Sequence, residues 1–121
     1  MTACPHSPDK VVTVESLSGM KINQVAIGSC TNSSYLDLAR CQKVAENVSL
    51  VISPGSRTIL KQMASDGILS IFLEAGARIL ECGCGPCIGM GQAPNTDGVS
   101  LRTFNRNFFG RSGTKSAQVY L

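Results

Sequence analysis

The run Glu81-Cys-Gly-Cys-Gly-Pro-Cys-Ile-Gly89 holds three of the chain's six cysteines, Cys82, Cys84 and Cys87. Gly83, Gly85, Pro86 and Gly89 leave little side-chain bulk among them. Cys84 and Cys87 bracket a Gly-Pro pair, so two thiolates can point into one small space. Pro86 fixes its own φ, and the glycines let backbone N–H groups approach whatever the sulfurs hold. Such a loop suits an iron–sulfur cluster, with Cys30 supplying the third thiolate.

Two other chemistries stay open. A zinc site needs four ligands, so Cys30, Cys84 and Cys87 would need Cys82 or His6 to complete the set. A dithiol redox pair would use Cys84-Gly-Pro-Cys87, but that chemistry usually sits at the start of a helix. Gly89, Gly91 and Pro94 oppose a long helix here. The cluster reading takes three thiolates and leaves one iron without a protein ligand.

Arginine is the second signal. Arg106 and Arg111 lie in one loop with Gly110 beside them, and Arg57 lies in another. Guanidinium forks favour carboxylates because they bond two oxygens at once. Scattered solvated arginines are the bland alternative. Pro54-Gly-Ser-Arg57 could hold an anion at a helix start, and a plain turn with an N-cap explains it equally well.

The elements that must position these residues follow from periodicity. The first ten residues, with two prolines and the sole histidine, His6, read as an irregular lead-in. Val11–Val14 is a short candidate strand. Gln24–Ile27 ends in Gly28 as a buried parallel strand does. A helix follows from about Ser33, with Tyr35, Leu38, Cys41, Ala45 and Val48 on one face. Cys41 is then a small buried hydrophobe. Ser49–Ser53 is the next strand. A helix carrying Ile59, Leu60 and Met63 ends at Gly67, and a third carries Ile68, Ile71, Phe72 and Ala75. Ala77–Leu80 is a strand leading into the cysteine loop. Gly91–Gly98 reads as an exposed loop, Ser100–Phe104 as another strand, and Val119–Leu121 as a strand cut off in mid-course.

This beat predicts an α/β domain with a mainly parallel sheet. Ligands collect outside the carboxyl ends of parallel strands. Ser29–Asn32, Pro54–Arg57, Glu81–Gly89 and Asn105–Arg111 each follow a predicted strand, so four polar or cysteine-bearing loops are expected at one edge.

A chain of 121 residues is one domain's worth, here 1–121. It is 43% hydrophobic and 16% charged, an ordinary globular balance. A net charge of +3 suits an anionic small molecule, and no basic cluster with interleaved aromatics points to nucleic acid. The first residues carry no apolar signal segment, and no stretch is long enough to span a membrane. Three crowded cysteines differ from the spread staples of a disulfide scaffold, so a cytoplasmic, reducing setting is expected.

Gly28-Ser-Cys-Thr-Asn-Ser-Ser34, Cys84-Gly-Pro-Cys-Ile-Gly89 and Asn105-Arg-Asn-Phe-Phe-Gly-Arg111, in that order, resemble the aconitase family. That family includes aconitate hydratases, isopropylmalate dehydratase large subunits and homoaconitases. The resemblance runs from about Pro5 to Leu121 and is to the family's third, cluster-bearing domain, a three-layer α/β/α unit. It implies a [4Fe–4S] cluster on Cys30, Cys84 and Cys87, whose free iron acts as a Lewis acid in loss and return of water. It implies that Arg106 and Arg111 bind substrate carboxylates, with Asn105 beside the cluster and Ser29, Thr31 and Asn32 shaping the loop.

Cys82 departs from the three usual ligands. The catalytic serine base, histidine–carboxylate pairs and further arginines of the family lie on other domains, so the chain is expected to be a fragment that is inactive alone. Aerobic handling is expected to strip its cluster. Partners are the remaining enzyme domains and a tricarboxylate or hydroxy-dicarboxylate. Ser33-Ser-Tyr35 and Met90-Gly-Gln92 favour citrate–isocitrate interconversion through cis-aconitate, a tricarboxylic acid cycle step. Isopropylmalate or homoaconitate dehydration and a Cys-ligated zinc module are the alternatives.

Overall fold

Gln24–Gly28 and Ser49–Ser53 carry apolar side chains on both faces, and they form the interior of the sheet. The structure, a computed structural model, describes residues 1–41 and 48–121. Its strands are β1 Thr2–Ala3, β2 Val11–Val12, β3 Gln24–Gly28, β4 Ser49–Ser53, β5 Arg78–Ile79, β6 Val99–Arg102 and β7 Gln118–Tyr120. Its α-helices are α1 Tyr35–Arg40, α2 Arg57–Ser65 and α3 Ile68–Glu74. The last five strands pair in the order β5-β4-β3-β6-β7, every neighbour parallel. The α/β class with a parallel sheet is therefore as the sequence predicts.

Successive side chains alternate between the two faces of a strand. Ile27, Leu50 and Ile52 pack on one face against Leu38 of α1, Met63 of α2, and Ile68 and Phe72 of α3. Ala26 and Val51 point the other way, against Cys87 and Phe104. All three α-helices thus share one core, and the opposite face is covered by the cysteine turn and its neighbours. The third layer of the expected α/β/α arrangement is here a 3-10 turn, Gly85–Ile88, with loops. Prolines and glycines in that crossover leave no room for an α-helix.

The connections run outward from the centre of the sheet. The chain leaves β3 towards β4 and β5, crosses the opposite face, and re-enters at β6 on the other side of β3 before reaching β7. The gap between β3 and β6 is therefore the switch point of the sheet, where open α/β folds place their ligands. Gln24 opposes Ser100 and Ala26 opposes Arg102, so β3 runs on to Gly28 past the end of β6.

Local signals set the helix starts. Ser34 Oγ accepts from the Asp37 N–H at 3.3 Å, and Asp37 Oδ2 accepts from the Ser34 N–H at 3.1 Å. This reciprocal box satisfies two otherwise unpaired donors. Ser34→Ala is expected to cost about 1 kcal/mol in urea unfolding. A loss below a few tenths would mean that α1 is held by packing alone. Ser56 Oγ caps α2 by accepting from Ile59 N at 3.2 Å, which is the plain turn-and-cap reading of Pro54–Arg57. Of the expected α1 face, Ala45 lies outside the described residues, and Tyr35, Leu38 and Cys41 meet the core.

The lead-in is more ordered than its prolines suggest. β1 pairs antiparallel with β2, and Ala3 exchanges two backbone hydrogen bonds with Leu121, at 2.8 and 3.0 Å. The buried Asn107 amide donates to Cys4 O at 2.7 Å and to Val119 O at 3.3 Å, tying the lead-in to the loop after β6. The predicted strand over Val11–Val14 shortens to β2, because Val14–Leu17 turns into a 3-10 helix.

Candidate functional site

Every strand of the five-stranded sheet runs the same way, so the loops after β3, β4, β5 and β6 leave from one edge. Three of them meet. Gly28 and Ser29 both hold positive φ, +111° and +74°, and this kink throws Cys30 out of the sheet plane into solvent. Ser29 itself is buried, and its N–H donates to Ser53 O at 2.9 Å. The Cys30 and Cys84 sulfurs lie 3.8 Å apart, although 54 residues separate them in sequence. Cys84 and Cys30 are exposed, while Cys87 is buried at 2% exposure on the sheet side of the turn.

The turn that carries Cys84 and Cys87 is closed by its own backbone. The N–H groups of Cys87, Gly89 and Met90 donate to Cys84 O, Pro86 O and Gly85 O at 3.3, 3.1 and 2.9 Å. A Cβ added at Gly83 would meet no atom within 4 Å, so the space beside the thiols is open.

The loop after β6 supplies the polar partners. Arg111 Nη2 reaches Cys87 Sγ at 3.9 Å, while its Nε is buried without a partner. Asn105 Nδ2 donates to Thr31 Oγ1 at 3.1 Å, and Arg106 Nη1 donates to Asn105 Oδ1 at 2.9 Å. Thr31 Oγ1 lies 3.6 Å from Cys30 Sγ, so a polar chain runs from Arg106 to the Cys30 sulfur. Asn32 Nδ2 donates to Thr103 O, stitching the β3 loop to the end of β6.

These contacts divide the thiols. The Thr31 hydroxyl, with Cys84 and Ser29 behind it, lowers the Cys30 pKa. The hydrogen bond shared with Cys30 and the Cys30 charge hold the Cys84 pKa up, with Cys87 adding to it. The two sulfurs therefore titrate as one pair, with the negative charge favoured on Cys30. Burial, then Asp37, raises the Cys41 pKa, which marks Cys41 as an inert core thiol.

The fourth loop stands at the margin. Arg57 lines a cavity of about 230 Å³ with Leu60, Leu80, Glu81 and Cys82. Cys82 also lines a larger cavity, about 390 Å³, with Gly83, Gly85, Pro86 and Met90 of the cysteine turn. His6 packs edge-on against Phe109, with ring centroids 4.8 Å apart. His6 is thus engaged by Phe109, while Cys82 stays beside the turn that carries Cys84 and Cys87. Among the described residues, no three His, Cys, Asp or Glu side chains are grouped to enclose one ion. Three sulfur donors around an open, glycine-lined surface suit a sulfur-ligated group wider than a single ion.

With that geometry in view, similarity decides the family. Residues 5–121 match the aconitase family (aconitate hydratase). The chain belongs to the aconitase family. Curated relatives include the 3-isopropylmalate dehydratase large subunit of Pyrococcus horikoshii, 44% identical over all of this chain and 33% of the relative. Large subunit 2 of the same enzyme from Pyrococcus furiosus is 42% identical, again over all of this chain and 33% of the relative. The methanogen homoaconitase large subunit of Methanocaldococcus jannaschii is 42% identical over 98% of this chain and 30% of the relative. The chain thus spans about a third of the length of these relatives. Their names favour isopropylmalate and homoaconitase chemistry over citrate–isocitrate interconversion, and the tricarboxylic acid cycle assignment finds no support. Ser33-Ser-Tyr35 misleads because it does a structural job: Ser34 caps α1, and Tyr35 donates to Asp66 Oδ2 at 2.7 Å.

In this aconitase-family chain, sequence reasoning missed Arg102. It is buried at 3% exposure on β6, where its periodicity read only as strand. Ser100 and Arg102 share one strand face, and a charge inside a buried parallel strand was the available signal. No helix among the described residues is long and apolar enough to cross a membrane.

Proposed function

We propose that this chain is the cluster-holding part of an aconitase-family hydro-lyase of the isopropylmalate dehydratase or homoaconitase type. Cys30, Cys84 and Cys87 hold a [4Fe–4S] cluster, and Arg106 and Arg111 bind the carboxylates of a hydroxy acid, with Asn105 placing Arg106. The observation that carries this reading is the meeting of Cys30 with Cys84, sulfurs 3.8 Å apart, at the switch point of a parallel sheet. Arg111 stands on Cys87 there.

When bound, the cluster supplies an iron without a protein ligand, a Lewis acid for a hydroxyl that leaves as water. The chain's own residues do the rest. Arg106 is exposed and, among the described residues, hydrogen-bonded only by its Asn105 contact, which leaves most of its fork for a carboxylate. Arg111 is half-buried, and its unpartnered Nε offers a directed donor. Two guanidinium groups on one loop fix a dicarboxylate at two points and set its orientation.

The general base is not among these groups. His6 is packed against Phe109, and a third of the relatives' length leaves room for it elsewhere in the enzyme. The chain alone therefore does not turn over substrate. Its partners are the remaining parts of the enzyme and the hydroxy acid.

Anaerobic reconstitution of the 121-residue chain with iron and sulfide tests the reading. The expected product is brown with about four irons per chain, and Cys30→Ser abolishes uptake. A colourless chain that binds one zinc, with Cys30→Ser unchanged, overturns it.

A further inference from the structure

Arg102 is an arginine inside the protein with no carboxylate hydrogen-bonded to it among the described residues. Its Nε donates to Ser100 Oγ at 2.9 Å and its Nη2 to Gln24 Oε1 at 3.0 Å. Its Nη1 donates to Pro86 O at 2.8 Å and to Ser112 Oγ at 2.6 Å. The guanidinium carbon stands 5.2 Å from the centre of the Phe104 ring. All four acceptors are neutral.

Two of those acceptors matter for the site. Pro86 O belongs to the peptide that enters Cys87, and Ser112 directly follows Arg111. Ser112 Oγ also donates to Pro86 O at 3.3 Å, closing a triangle between the two loops and the guanidinium. One planar fork therefore sets the cysteine turn and the arginine loop at a fixed distance from β6. Gln24, which accepts from both Arg102 and Ser100, donates in turn to Ala93 O at 3.0 Å and holds the far side of the crossover.

Burying a cation without a counter-ion is costly. Burial lowers the Arg102 pKa to about 10, with the Cys87 charge acting against that fall, so the group stays charged at neutral pH. Cys87 follows directly on the Pro86 carbonyl that Arg102 binds. Three thiolates on a cluster carry net negative charge, and a fixed cation on the sheet side is the complement it needs.

We infer that Arg102 is a positioning residue of the metal site: it bolts the cysteine turn to the arginine loop and places a permanent positive charge behind Cys87. The charge half of this inference rests on the cluster reading above, while the bolting half stands without it.

Two variants separate the halves. Arg102→Lys keeps the charge and loses the fork, and Arg102→Met keeps the apolar stem alone. In the metal-free chain, amide exchange at Cys87, Gly89 and Met90 is expected to quicken about tenfold in both, with β3 and β4 still protected. In the reconstituted chain, the cluster's midpoint potential is expected to move negative in Arg102→Met and to stay near the parent value in Arg102→Lys. Unchanged exchange in both variants overturns the bolt. An unchanged potential in Arg102→Met overturns the charge. Should Arg102→Met fail to fold, Ser112→Ala decides the bolt: it removes one acceptor, and protected turn amides would refute it. A parent chain that takes up no cluster refutes the proposed function and the charge half, while the exchange result still judges the bolt.

Discussion

Gly28→Ala is expected to lower the unfolding free energy by at least about 3 kcal/mol, enough to leave much of the chain unfolded. A Cβ at this position would fall 2.0 Å from Ser53 O and 2.8 Å from its carbonyl carbon. The obstacle is backbone of the neighbouring strand, so no side-chain rotation relieves it. β4 cannot draw back either, because Ser53 O accepts the Ser29 N–H at 2.9 Å and Gly28 N donates to Thr103 Oγ1 at 2.8 Å. The φ of +111° adds strain for any residue with a side chain. Gly19→Ala is the control. It shares a positive φ of +85° but meets no atom within 4 Å, so its cost is strain alone, about 1 kcal/mol. Urea unfolding of the two variants separates overlap from strain. Equal losses would mean that the close approach of β3 to β4 is not what glycine is needed for.

This crowding also shows what the sequence could and could not disclose. β3 and β4 were legible because apolar runs bounded by Gly28 and by Pro54-Gly55 leave few alternatives. The meeting of loops was legible too, since parallel strands send their carboxyl ends to one edge. Three facts were not. The lead-in is a strand because it pairs with the nearby β2 and with Leu121 at the far end of the chain, and two-residue strands leave no periodicity to read. Among the described residues the second face of the sheet carries no α-helix, because the residues that cover it, Cys87 and Phe104, are set there by a crossover rather than by any local pattern. Arg102 could be read as a charge within a strand, but only the fold reveals that its fork spans two loops. The substrate was least legible, since two-thirds of the relatives' length lies outside the match.

Cys84→Ser is expected to lose the cluster completely and to unfold at the same urea concentration as the parent, whereas Cys87→Ser loses both cluster and stability. The difference is burial. Cys84 is exposed, with its sulfur 3.8 Å from that of Cys30 and open space beside Gly83, so a hydroxyl there stays hydrated. Cys87 is 2% exposed and packed with Ala26, Val51 and Phe104. A serine hydroxyl in that pocket is removed from water, at a cost of about 1–2 kcal/mol. Cys82→Ser is expected to leave both properties intact, since the proposed donor set is Cys30, Cys84 and Cys87 and the half-buried Cys82 has no hydrogen bond to them among the described residues. Iron and sulfide content per chain, read beside urea midpoints for the three variants, checks the series. Loss of cluster in Cys82→Ser would make Cys82 a ligand and redraw the donor set. Equal destabilisation in Cys84→Ser and Cys87→Ser would mean that the exposed pair braces the fold. Cluster loss at unchanged stability in Cys84→Ser leaves metal holding as that thiol's only role, in a turn whose shape is maintained by Cys87 and Arg102 from behind.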